Sequence, residues 1–206
     1  MTRRFPVQHR LSSIHSQQYT DTTYIFVSGS NGSLMPVFML RSSRPASVTL
    51  PPWRERLRVS ITEAAVPLDE WKSKAHTMLN AVTDGDFLCH GDFHPDNVMM
   101  TSGDPVLIDW RGSKKGIPAA DFARTLVILM TATLPAHIPM HKRLMMNAGR
   151  ALFTYTYRRR YHRITQVHED YVRAWMPPVC AARFNENPSD DLPALHRLMA
   201  KLVNED

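Results

Sequence analysis

The chain has 206 residues, 43 % of them apolar, and a formal net charge of +6. That length suits one domain, or one domain with a small appendage, and the apolar share supports a sizeable core. No apolar run approaches the roughly 20 residues a spanning helix needs. Cys89 and Cys180 match no zinc or redox spacing, so a reducing, cytoplasmic setting is the expectation, with no membrane partner. Residues 1–164 carry 21 basic and 12 acidic side chains, and residues 165–206 carry 4 and 7. No lysine stripe alternates with aromatics, and the arginines at 158–160 read as a solvated helix face, so nucleic acid is not expected as a partner.

Residues 1–20 are polar and basic, with a sparse apolar face at Leu11, Ile14 and Tyr19. The composition is faintly like a transit peptide, although an ordinary basic helix or loop accounts for it. Residues 23–27 and 34–40 read as strands of a hairpin turning at Asn31-Gly32, with Pro36 placing the second strand at an edge. A Ser- and Pro-rich linker follows over 42–52. Residues 53–63 and 68–82 read as amphipathic helices, the second turning Trp71, Ala75, Met78, Leu79 and Val82 inward. Pro118 suits a helix start, and residues 119–134 are apolar on nearly all sides, which predicts a central core helix. The methionines beyond it read as core filler. A long helix is expected over 141–164, a further one over 166–175 interrupted at Pro177-Pro178, and a last one over 192–203.

Between the second and third helices lies the stretch that carries chemistry. Residues 87–100 read FLCHGDFHPDNVMM and residues 105–110 read PVLIDW. A carboxylate at Asp92, an amide at Asn97 and a second carboxylate, Asp109, at the end of an apolar run repeat the spacing of a phosphoryl-transfer site. Such a site needs a base to orient and deprotonate a hydroxyl, and hard oxygen donors to hold magnesium on the phosphates. Asp92 suits the first task, and Asn97 with Asp109 the second. Residues 98–100 and 105–108 would pair as strands about a turn at Gly103-Asp104, delivering Asp109 to the site. A zinc cluster of His90, Asp92, His94 and Asp96 is a competing reading, which Pro95 and Asn97 fit less well. Taken singly, each residue also suits a turn or a helix cap, and His94 reads as loop-shaping.

The strings HGDFHPDNV (90–98), VLIDW (106–110) and GIPAADFAR (116–124) resemble the catalytic core of aminoglycoside phosphotransferase and choline-kinase-like enzymes. The likeness is dense over 50–134 and weak through 175–183. It implies an α+β fold: a mostly helical, protein-kinase-like C-terminal lobe over 51–206 with a small β-hairpin at the catalytic loop. Residues 1–50 would be an extension or N-lobe remnant holding a short β-hairpin at about 23–40. The resemblance further implies ATP as co-substrate, Mg2+ as cofactor and a small-molecule hydroxyl acceptor, aminoglycoside-like or other. Asp92 would be the base, with Mg2+ held by Asn97 and Asp109. His90 would brace the loop, and Asp121 would tie it to the following helix. Asp96 departs from the pattern, since many relatives carry Gly there.

Relatives with this core also hold the nucleotide with a glycine-rich loop and a strand lysine. Neither is found: the first lysine is Lys72, in a helix, and residues 29–32 are too short for the loop. Most of the N-lobe therefore reads as missing. Lys114, in the loop after Asp109, is the candidate for a cofactor phosphate contact. The acidic residues Glu169, Asp170, Glu186, Asp190 and Asp191 are candidates for attracting a cationic substrate. The competing function is an inactive pseudoenzyme or binding module of the same family. The oligomeric state is not legible.

Overall fold

A computed structural model describes residues 22–23, 41–42, 50–99, 106–165, 167–186 and 190–204. A short antiparallel pair, β1 (Thr22–Thr23) and β2 (Arg41–Ser42), stands at the start. The remainder of the expected 23–40 hairpin, the 1–20 segment and the Gly103-Asp104 turn lie outside the described residues.

Helix α1 (Trp53–Glu63) buries Trp53, Leu57 and Ile61, one residue per turn, and leaves its charges on the opposite face. Helix α2 (Asp69–Ala81) buries Trp71, Ala75 and Leu79, with Val82 buried just beyond its end. Strand β3 (Phe87–Cys89) then enters the loop that carries Asp92, with Cys89 buried as a small hydrophobe. Its partner, antiparallel, is β6 (Lys114–Gly116). Between them, β4 (Val98–Met99) pairs with β5 (Val106–Leu107), in the register Val98 to Leu107 and Met99 to Val106. This is the small hairpin the sequence predicts at the site.

Helix α3 (Pro118–Thr131) is buried on nearly every side, as its all-round apolarity requires. Helix α5 (Glu169–Arg183) lies across α1, α2, α3 and α6 (Leu192–Asn204), and so forms a second central element. The expected interruption at Pro177-Pro178 does not occur, because α5 runs through both prolines. Each proline removes a helix hydrogen bond and costs about 3 kcal/mol. Residues 175–182 are all buried, however, and large apolar side chains contribute about 1.5–3 kcal/mol each when fully buried. Tertiary burial outweighs the local penalty.

Helix α4 (Met140–Thr165) joins the core only through its later turns. There Tyr161 stacks on Phe122 of α3 at 3.7 Å, and Tyr157 lies against Phe93 of the Asp92 loop at 5.3 Å. The aromatic stack thus links loop, α3 and α4. The methionines expected as core filler are instead exposed: Met140, Met145 and Met146 all face solvent, as do Leu144, Leu152 and Tyr155. Their helical spacing was legible, but which side of α4 meets the body was set by the tyrosines further along. No described helix is long and apolar enough to cross a membrane.

Candidate active site

The loop between β3 and β4 is held from below by one carboxylate. Asp121, in the first turn of α3, accepts the His90 backbone N–H at 2.8 Å and the Gly91 N–H at 2.9 Å. Burial pushes the Asp121 carboxyl upward, while these two donors favour its ionised form. Gly91 is required where it stands. Its φ is +79°, and a Cβ there would lie 2.5 Å from the Gly112 carbonyl oxygen.

His90 is buried, and both ring nitrogens are engaged. Nδ1 accepts the Asp92 N–H at 3.2 Å, which assigns the proton to Nε2, the donor to the Ile108 carbonyl at 2.9 Å. Trp110 packs edge-on against the ring at 4.8 Å and donates Nε1–H to the Leu107 carbonyl. One imidazole therefore connects the Asp92 backbone to the residue preceding Asp109.

Asn97 sits in the 3-10 turn after Pro95 and is buried. Its Nδ2 donates to the Asp92 carbonyl at 2.8 Å and lies 3.4 Å from Asp92 Oδ2. The Asn97 backbone carbonyl accepts the Ile108 N–H at 2.9 Å. Asp92, Asn97 and Ile108, the residue before Asp109, are thus linked within one hydrogen-bonded unit.

The carboxylate of Asp92 is partly exposed and has two cationic neighbours, His94 Nε2 at 3.6 Å and Arg124 Nη2 at 4.0 Å. The His94 contact, more than Arg124, holds the Asp92 pKa below its ordinary value, and Asp92 in turn raises that of His94. When neutral, the same His94 nitrogen accepts from Asn97 Nδ2 at 3.1 Å. His94 is therefore a loop-shaping residue, as expected. Asp96 is 96 % exposed and stays outside the site.

Asp109 takes a left-handed backbone, φ 59°, which Asp tolerates better than most residues. Both its oxygens are held by Arg111, Nε at 2.7 Å and Nη2 at 2.8 Å, and this clamp lowers the pKa to about 2. Lys114 lies against the Asp92 loop, its ammonium 3.1 Å from where a Cβ on Gly91 would stand. Its ammonium donates to the Gly112 carbonyl at 2.6 Å and lies 5.4 Å over the Trp53 ring, and burial lowers its pKa. Reaching a phosphate would require it to leave both.

Three residues were not singled out by sequence. Arg111 follows Asp109 by two, and Arg124 follows Asp121 by three on the same helix face, the only local signals they carry. Arg124 Nε donates to the Gly91 carbonyl at 3.1 Å, and its guanidinium grips Glu186. Arg183 also binds Glu186 and, through Nη2, Asp191. Glu169 is engaged by Arg158 and His162, and Asp170 by His168. Most of the acids proposed to attract a substrate are therefore occupied within the protein. The zinc reading also fails on geometry. Both His90 nitrogens are taken, and among the described residues no three His, Cys, Asp or Glu side chains converge as metal ligands.

A helical lobe with an acid–amide–acid loop and a small hairpin beside it defines the class: a protein-kinase-like C-terminal lobe. The chain belongs to the phosphotransferase enzyme family, whose profile matches residues 36–175. No curated protein matches it. Among solved structures it is similar to a thermostable mutant of aminoglycoside phosphotransferase APH(4)-Ia in the apo form, with 15 % identity and a TM-score of 0.48, covering 74 % of this chain and 52 % of that one. A ternary complex of that enzyme with AMP-PNP and hygromycin B gives 15 % identity and a TM-score of 0.49, covering 74 % and 51 %. The chain spans about half the length of these solved structures.

Proposed function

We propose that the chain is the catalytic lobe of an ATP-dependent small-molecule phosphotransferase, with residues 51–206 forming the lobe and residues 1–50 an N-terminal extension or N-lobe remnant. The observation that carries this reading is the hydrogen-bonded unit joining Asp92, Asn97 and the Ile108-Asp109 strand end. Asp92 is ionised at neutral pH, partly exposed, and fixed through its backbone by His90 and Asn97. It orients the acceptor hydroxyl and takes its proton as the oxygen bonds to the γ-phosphorus and ADP leaves.

The donors present fit magnesium, which favours hard oxygen ligands. Asn97 turns its nitrogen to Asp92 and so keeps its amide oxygen for another partner, and Asp109 supplies a carboxylate. When bound, the ion would neutralise charge on the phosphates. Arg111 must release Asp109 before that carboxylate can serve. His90 and Asp121 act beneath the site, setting loop geometry and touching neither substrate.

Membership of the phosphotransferase enzyme family supports a nucleotide and a small-molecule hydroxyl compound as substrate classes. The direct test is transfer of γ-phosphate from labelled ATP to a panel of aminoglycosides, choline and other hydroxyl compounds. Transfer by the native protein and none by Asp92→Asn is expected. Equal transfer by both would remove Asp92 from the role of base. The Arg111 clamp and the inward Lys114 favour a second reading, an inactive binding module. Thermal shift with ATP separates the two, because a module that cannot hold nucleotide gives no magnesium-dependent stabilisation.

A further inference from the structure

The C-terminal end of α3, the first turns of α4 and the middle of α6 enclose a cavity of about 180 Å³. Three arginines line it: Arg143 and Arg150 of α4, and Arg197 of α6. Arg143, Asn147 and Arg150 stand at i, i+4 and i+7, so they share one helix face, within about 60° at the helical repeat of about 100° per residue. That face meets α3, because Arg150 donates to the Ala132 carbonyl just past the end of α3, and also to Asn147 Oδ1 at 2.6 Å. Thr131 and Thr133 complete the polar part of the wall.

The wall carries charge of one sign. No carboxylate lines the cavity, and the 26 residues of α4 include no acid. Asp191 accepts the Thr133 N–H and hydroxyl at the cavity edge, but Arg183 already holds its other oxygen at 2.9 Å. Elsewhere the guanidinium groups of Arg111, Arg124, Arg158 and Arg183 each meet a carboxylate. Arg143 and Arg197 have no side-chain partner among the described residues. Like charges that face one concavity repel, and an anion seated among them converts that repulsion into attraction.

Guanidinium groups match phosphate oxygens in planar, bidentate geometry. We propose that this cavity is a binding site for a phosphate-class anion, either inorganic phosphate or the phosphoryl group of a small phosphorylated compound. Arg143 and Arg197 supply charge-assisted bonds from two different helices, and Arg150 fixes the wall between them. The site is separate from the Asp92 loop, which Asp121 anchors about 15 Å away along α3. Because α4 otherwise joins the core through its later turns, an occupant bonded to α4 and α6 also steadies the first ones.

The test is calorimetric titration of the full chain with inorganic phosphate and, separately, with ribose 5-phosphate, at an ionic strength fixed with chloride. Saturable one-site binding with a Kd below about 1 mM is expected. Tighter binding of phosphate assigns the site to the free anion, and tighter binding of ribose 5-phosphate to a phosphorylated compound. Arg143→Gln and Arg197→Gln should each weaken binding about tenfold, and together abolish it. Lys142→Gln, beside Arg143 in sequence but outside the cavity, should bind as the native chain does. Arg150 is left intact because it holds the Ala132 carbonyl, and circular-dichroism melts verify that each variant folds. Amide hydrogen exchange of the native chain needs no variant, and saturating phosphate should slow it over residues 140–150. No saturable binding of either compound up to about 10 mM would overturn the proposal. So would an unchanged Kd in the double variant, an equal loss in Lys142→Gln, or unaltered exchange over residues 140–150.

Discussion

Replacing Asp121 by Asn tests what holds the Asp92 loop in place. The carboxylate accepts two backbone N–H groups, from His90 at 2.8 Å and from Gly91 at 2.9 Å. Hydrogen bonds to a charged group contribute about 1.5–3 kcal/mol each, and a buried donor left without a partner costs about 1–3 kcal/mol. Asparagine keeps one acceptor but sets an NH2 group against the other N–H. One charge-assisted bond weakens to a neutral one, and one donor is orphaned, for a net loss of about 2–4 kcal/mol. A chain of this size loses roughly 2–4 °C of Tm per kcal/mol, so the fall should be about 5–15 °C. Differential scanning fluorimetry reads the shift, and amide hydrogen exchange reads its place, with faster exchange expected at His90 and Gly91. A fall under about 2 °C with both amides still protected would refute the anchor.

Arg111→Gln frees both oxygens of Asp109. Because exposed ion pairs are weak competitors, magnesium should bind up to about fivefold more tightly in the presence of nucleotide, read by calorimetry; unchanged or weaker binding contradicts the clamp. The Asp92–His94 contact gives a pH dependence of defined sign. His94 is raised above 6.5, so its contribution is full below that value and lost as pH rises through the folded pKa. Asp92 is lowered from 3.8, so its contribution is present above that value and lost as pH falls through the folded pKa. The Tm gap between native protein and His94→Gln should therefore peak near pH 5 and narrow by pH 8, and a wider gap at pH 8 contradicts the pairing. Tyr161 stacks on Phe122, yet its hydroxyl is buried with no hydrogen-bond partner among the described residues. Tyr161→Phe should keep or slightly raise stability in chemical denaturation, and a loss above about 1 kcal/mol would mean that the hydroxyl is bonded.

What sequence made legible follows from which forces are local. The loop carrying Asp92 and Asn97 and the hairpin leading to Asp109 could be read because a tight turn and one short strand pair are local features. Helices α1, α2 and α3 followed from their apolar periodicity. The run of α5 through Pro177-Pro178 could not be read, since proline acts locally and the burial that overrides it is supplied by α1, α2 and α3. The outward face of α4 was hidden for a related reason. Leu144 and Leu152 have core-like spacing, but Tyr157 and Tyr161 decide which side of the helix meets the body. The inward turn of Lys114 depends on Trp53, some sixty residues away, and on the Gly112 carbonyl. Arg124 was visible in the motif, but its role was not, because its carboxylate partner Glu186 lies beyond two further helices.

The claim at the centre is that Asn97 and Asp109 hold a divalent cation beside Asp92 in the presence of nucleotide. Manganese favours the same oxygen donors as magnesium and broadens nearby NMR signals. Titrated into the labelled protein with a non-hydrolysable ATP analogue, it should broaden the amides of residues 91–98 and 108–111, and Asn97→Ala or Asp109→Ala should abolish the effect. Broadening elsewhere, or none with nucleotide present, would contradict the account.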